Sequence, residues 1–166
     1  MVKAVVVYES LWGNTAAVAR AIAEGLGPGV SALSTAEAVG EAMVGVDLIV
    51  AGSPIIGFKL PTDKMREAVR ANPGPAPRPP DLSHPSMNSW LKALPEGKGR
   101  SVAFETKIRG PWGNAVSAIS KGLEHAGYTQ LSKPQGFIVN GKFGPLRDGE
   151  IEKARAWGAE LAKLMG

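Results

Sequence analysis

Residues 2–26 read VKAVVVY, then ESLWGN, then TAAVARAIAEGL. Val2–Tyr8 is apolar on both alternating faces, so it predicts a strand buried on both sides, as at the centre of a parallel sheet. Thr15, Val18, Ala19, Ile22 and Leu26 recur at helical spacing, and Gly27-Pro28-Gly29 stops that helix. Between them Glu9–Asn14 is a short polar loop with one glycine. A strand, a tight loop and a helix in this order make the first half of a parallel crossover unit.

The same alternation continues to the end of the chain. Val30–Leu33 is a weak strand and Val46–Ala51 another continuous apolar run. Thr62–Arg70 is helical, with Met65 and Val69 on one face. Ser86–Leu94 is a short helix, Arg100–Glu105 a strand, and the stripe from Ala115 to Ala126 a helix. Gly136–Asn140 is a last strand, and Asp148 is placed to cap a final helix through Met165. Crossovers between parallel strands are almost always right-handed. The expectation is a three-layer α/β sandwich over 1–166, a single domain. Ligands then bind beyond the carboxyl ends of the strands, where strand order reverses. The loops that bear on function are Glu9–Asn14, Gly52–Pro61 and Glu105–Asn114.

Composition narrows the chemistry. The chain has 166 residues, no Cys and two His, His84 and His125. Disulfides, thiolate nucleophiles and Cys metal sites are excluded, and no metal centre is expected. No apolar run reaches the ~18 residues that a membrane span needs. The N-terminus reads as a strand rather than a signal peptide, so the expected location is the cytoplasm. Lys and Arg number 19 against 15 Asp and Glu, a net charge of +4. That mild excess favours acidic partners without pointing to nucleic acid. Asn72–Pro85 carries six prolines and predicts an extended surface segment. Both histidines are expected at the surface, and Trp90 and Trp157 in packing positions. No Ser/His/Asp setting or G-x-S-x-G elbow is present.

Ser10-Leu11-Trp12-Gly13-Asn14-Thr15 offers hydroxyls, an amide and a turn glycine at a helix N-terminus, where backbone N–H groups favour anions. It lacks the Gly-Lys-Ser/Thr of nucleotide-triphosphate loops and the G-x-G-x-x-G of dinucleotide folds. With no Lys or Arg in the loop, a phosphate there meets neutral donors alone. On these residues alone, an ordinary strand-to-helix turn with an Asn cap explains the loop equally well.

Residues 6–22, VVYESLWGNTAAVARAI, resemble the flavodoxin signature in the order and spacing of the aromatic, Ser/Thr, Gly, Thr, Ala and aliphatic positions. Trp90-Leu91, Phe104-Glu105-Thr106-Lys107 and Gly144–Glu150 are similar to a set of bacterial flavodoxin-domain proteins. The resemblance implies a flavodoxin-like fold, a five-stranded parallel sheet of order 2-1-3-4-5, with FMN at the switch point. It implies cofactor contacts from Ser10, Leu11, Trp12, Gly13, Asn14 and Thr15 around the phosphate. Ser53, Pro54, Ile55, Ile56, Gly57 and Phe58 would line one side of the flavin, with Gly57 as a peptide that flips on reduction. Thr106, Lys107, Arg109, Trp112 and Gly113 would line the other, with Trp112 stacking on the ring. Trp12 stands where a Thr is usual, and Phe58 where an acid or amide is usual. The implied function is electron transfer with redox partner proteins that present an acidic docking surface. The carrier would be a monomer or weak dimer. The alternatives are a small FMN-dependent, quinone-reductase-like oxidoreductase and a flavodoxin-fold binding module without FMN.

Overall fold

The computed structural model describes residues 2–166. Six strands form one parallel sheet: β1 (Ala4–Tyr8), β2 (Ser31–Ser34), β3 (Leu48–Pro54), β4 (Arg100–Ile108), β5 (Thr129–Gln130) and β6 (Gln135–Val139). The order is β2-β1-β3-β4-β5, with β6 also on β4. Thr129 and Gln130 pair with Arg100 and Ser101, and Gln135–Val139 with Phe104–Ile108. β5 and β6 are thus two pieces of one edge, and the order 2-1-3-4-5 that the resemblance implies is present. Five α-helices join the strands: α1 (Asn14–Leu26), α2 (Asp63–Ala71), α3 (Met87–Ala93), α4 (Val116–His125) and α5 (Glu150–Met165).

The apolar runs explain the layering. Val5, Val7, Ile49, Ala51 and Ala103 face one side of the sheet and pack with Met87, Trp90, Ile119 and Leu123 of α3 and α4. Val6, Leu48, Val50, Val102 and Phe104 face the other and pack with Val18, Ile22, Ala154, Trp157 and Leu161 of α1 and α5. A fully buried side chain of this kind contributes about 1.5–3 kcal/mol. α1 and α5 meet backbone to backbone. A Cβ on Gly25 would lie 2.0 Å from the Arg155 carbonyl oxygen, and one on Gly158 2.2 Å from that of Ile22. Arg155 Nε adds an ion pair with Glu24 at 3.0 Å. This contact fixes the helix whose N-terminus carries the first loop.

Three local expectations are corrected. Asp148 does not cap α5: Gly149, at φ 88°, occupies that position. The carboxylate that works there is the buried Glu150, whose Oε1 accepts from Ile138 N–H at 2.6 Å. The last strand is split by residues 131–134. His84 is buried, not at the surface, because Asn72–Pro85 folds back against the first loop. Among the described residues no helix is long and apolar enough to cross a membrane.

Candidate functional site

The carboxyl ends of β1, β3 and β4 open into a cleft of about 550 Å³, inside the range of small-molecule sites. It brings together the three loops singled out from the sequence. Ser10, Leu11, Trp12, Asn14 and Thr15 line one end. Pro54, Ile55, Ile56, Gly57 and Phe58 line one wall, and Thr106, Lys107, Trp112 and Gly113 the other. Ile108, Val139 and Lys142 complete it; none of these three was foreseen. Val139 ends β6 and Lys142 lies just beyond it, where the sequence carries no motif of its own.

Gly13, Ser53 and Arg109 lie outside the lining. Gly13 serves through its backbone: at φ 93° it is left-handed and begins α1, a conformation that costs an L-residue about 1–2 kcal/mol. Ser53 is fully buried on β3 and donates its hydroxyl to the Pro54 carbonyl at 3.0 Å. Arg109 is exposed, and its carbonyl accepts from the Trp112 indole N–H at 3.2 Å.

At the loop end, Ser10 Oγ accepts from Gly13 N–H at 3.1 Å and Ala16 N–H at 3.2 Å. That bends the chain into the first turn of α1. Ala17 N–H is taken by the Gly13 carbonyl. The N–H groups of Asn14 and Thr15 fall among the first donors of a helix, which have no intrahelical acceptor. Thr15 Oγ1 and Thr106 Oγ1 are 2.8 Å apart and tie the loop to β4. The Trp12 indole is buried, edge-on to Phe143 with centroids 4.8 Å apart. Its side chain serves packing, which is why a Trp can stand in a loop that elsewhere carries a hydroxyl. The donors here are not all neutral, contrary to the reading from the loop alone. Lys142 Nζ lies 6.0 Å from the Trp12 ring centroid, and Arg78 donates to the Trp12 carbonyl at 2.7 Å.

At the opposite end, Ile56 and Lys59 close a hairpin turn through reciprocal backbone bonds of 3.0 and 3.3 Å. Its central residues Gly57 and Phe58 both have positive φ, 59° and 69°. Phe58 and Trp112 are exposed, with ring centroids 6.4 Å apart, and Asn114 N–H donates to the Phe58 carbonyl. The two flanking loops are therefore laced together and present aromatic surface at the mouth.

Two buried carboxylates near the cleft each face a cation, whereas Lys142 in the lining has only ring neighbours among the described residues. Glu105 is buried, and its Oε1 accepts from Ala115 N–H at 2.7 Å and Val116 N–H at 3.2 Å, where α4 begins. Its Oε2 lies 3.6 Å from Lys107 Nζ. Behind the first loop, Glu9 is fully buried; its Oε1 accepts from Met87 N–H at 2.9 Å and its Oε2 faces Arg66 Nε at 3.4 Å. Burial pushes the Glu9 carboxyl from 4.5 up to about 7, against the pull of the Met87 N–H and of Arg66. His84 Nε2 accepts from Ser10 N–H at 3.1 Å, and burial lowers its pKa. That bond requires the neutral ring.

Similar solved structures settle the architecture. A flavodoxin from the domain Archaea is 19% identical, covers 99% of each chain and superposes with a TM-score of 0.63. The chain has the flavodoxin fold. Oxidised flavodoxin 1 from Bacillus cereus is also 19% identical, over 97% of each chain, with a TM-score of 0.65. A short-chain flavodoxin associated with a PDU bacterial microcompartment is 14% identical over the whole of both chains, with a TM-score of 0.68. No family model matches the sequence, and no curated protein matches it. In this flavodoxin fold the cleft occupies the switch point, between β1 and β3, where the chain reverses its winding.

Proposed function

We propose that this flavodoxin-fold chain binds FMN and carries electrons to or from a redox partner protein. The observation that supports this best is the shape of the cleft. One end is a helix-start loop with open N–H groups and hydroxyls, and the other is a pair of loops with an exposed Trp and Phe. The donor set fits a phosphate monoester, and the aromatic walls at the other end fit a flat ring. Ser10, Asn14, Thr15 and the loop backbone would hold the phosphate. Ile56 and Trp112 would flank the ring. FMN supplies the redox chemistry when bound.

The protein's own residues then bind and orient. The Thr15–Thr106 pair fixes the phosphate loop on the sheet. The Gly57–Phe58 peptide sits at the centre of the hairpin turn, the position where the resemblance places a flipping peptide. Lys107, held by Glu105, puts a compensated rather than a free charge beside the ring. Phe58 and Trp112 give the partner an apolar contact at the mouth. With +4 overall, the chain suits a partner with an acidic face.

Absorbance of the purified protein and titration of the apoprotein test the reading. A band near 450 nm on purification, or tight uptake of added FMN with weaker uptake of riboflavin, is expected. No uptake of either flavin overturns it. Steady NAD(P)H-dependent reduction of a quinone by the isolated protein would instead indicate an enzyme.

A further inference from the structure

The segment 72–85 is more than a surface connection. Three consecutive residues of the phosphate loop each have a backbone group held by it. Ser10 N–H donates to His84 Nε2, the Leu11 carbonyl accepts from Asp81 N–H at 2.8 Å, and the Trp12 carbonyl accepts from Arg78 Nη2 at 2.7 Å. Strap residues 84, 81 and 78 thus meet loop residues 10, 11 and 12, three strap positions per loop position. Ala76 and Leu82 pack on the apolar patch made by Leu11, Trp12 and Val69. The strap is anchored in turn by Arg66, which donates to the His84 carbonyl, and by Glu9, which accepts from Met87 N–H.

We infer that this strap is a cofactor-selectivity element, in which Arg78 supplies a fixed positive charge to the phosphate end of the cleft. The inference rests on the FMN reading above and deepens it. The geometry carries it. Arg78 is exposed and stands just outside the cleft lining, but its Nη2 lies 2.5 Å from the place a Cβ on Gly13 would occupy, so the guanidinium sits directly against the residue that caps the α1 N-terminus. Only the absence of a side chain at Gly13 lets it approach so closely. Its bond to the Trp12 carbonyl holds it there, and the remaining guanidinium donors stay available. The charge adds to the helix dipole, and both favour the same ligand group, a dianionic phosphate monoester. A flavin ring bound between Ile56 and Trp112 would lie at the other end of the cleft and would gain little from this charge. Arg78 therefore separates FMN from riboflavin rather than strengthening flavin binding in general.

The strap's prolines suit this task. An extended proline-rich chain loses little entropy on ordering and keeps its few contact residues at fixed intervals. His84 and Asp81 place the backbone, and Arg78 uses the place so made.

Parallel titrations of the full-length apoprotein with FMN and with riboflavin, followed by quenching of flavin fluorescence, test the inference. The Arg78→Gln variant is expected to weaken FMN binding about fivefold at low salt, the effect of one partly screened charge. Riboflavin affinity should be unchanged. The Arg78→Lys variant should recover most of the lost FMN affinity, and raising the salt to about 0.5 M should shrink the gap between wild type and Arg78→Gln. Equal weakening of both flavins would overturn the inference, because it would mean that Arg78 only shapes the loop. Unchanged FMN affinity in Arg78→Gln would overturn it as well, while leaving the FMN reading intact. A wild-type protein that takes up neither flavin overturns the FMN reading itself, and this inference with it. Thermal melts of both variants confirm that the chain remains folded.

Discussion

Replacing Glu9 with Gln should remove a pH dependence from the stability of this protein. Glu9 directly follows β1, fully buried, one residue before Ser10 at the start of the cleft lining. Burial raises its carboxyl from 4.5 to about 7. A tenfold change in proton affinity is worth about 1.4 kcal/mol, so a rise of this size corresponds to about 3 kcal/mol. The sign follows from which state holds the proton more tightly. The folded state does, so the contribution of Glu9 is complete below pH 4.5 and is lost as pH rises through about 7. His84 runs the other way. Its pKa is lowered by burial, so its contribution is complete above its ordinary 6.5 and lost as pH falls through the lower folded value. Wild-type stability alone therefore mixes two opposed titrations. The difference between wild type and Glu9→Gln isolates the carboxyl, because Gln keeps an oxygen for Met87 N–H and cannot ionise. Urea unfolding at intervals between pH 4.5 and 8 measures it. Wild type is expected to lose up to about 3 kcal/mol relative to the variant across this range. A constant difference, or one that moves in favour of wild type as pH rises, refutes the reasoning. It would show that Arg66, 3.4 Å away, keeps Glu9 ionised throughout.

Thr15→Ala removes a hydroxyl at the phosphate end and leaves Thr106 without its 2.8 Å partner. Isothermal titration should show FMN binding about ten- to a hundredfold weaker, the effect of one hydrogen bond to a charged group. Trp112→Ala should leave bound FMN visibly more fluorescent and less tightly held; unchanged quenching would return Trp112 to a role at the cleft edge alone. Lys107→Gln and Arg109→Gln should each move the semiquinone/hydroquinone potential by only about 10 mV, far below the 59 mV of a tenfold change. The reason is that Lys107 is paired with Glu105 and Arg109 lies outside the cleft lining. A redox titration in which either variant shifts the couple by ~40 mV or more would show that these cations act on the ring directly.

The fold was legible because its signals are local. Val5 to Val7 and Leu48 to Ala51 alternate between two buried faces, and only a sheet covered on both sides accommodates that. The first loop was legible because hydroxyl, amide and glycine lie within six residues. The strap was not. Its contacts join residues 66 to 74 positions apart, and nothing in a run of prolines announces a partner. His84 looked like a surface residue because its neighbours are polar and prolyl, and the acceptor role of Nε2 exists only after the loop and strap meet. Glu9 and Arg66 were missed for the same reason: each stands in a polar stretch, and their burial is a product of the assembled fold. Thr129–Gln130 escaped because two exposed polar residues carry no periodicity.

The break in that last strand has a bearing on crowding. A sheet margin of unpaired N–H and C=O groups is a template on which another chain can lay a strand. Here one margin has only the two residues of β5, an interruption that contains Lys133 and Pro134, and then the five residues of β6. Pro134 has no N–H to offer, and Lys133 brings a charge that an incoming strand would have to desolvate. The opposite margin, β2, is four residues long. Neither border offers a long, flat row for amyloid-like growth. Phe58 and Trp112 can thus stay exposed at the cleft mouth without a neighbouring strand edge to turn a sticky contact into a fibril.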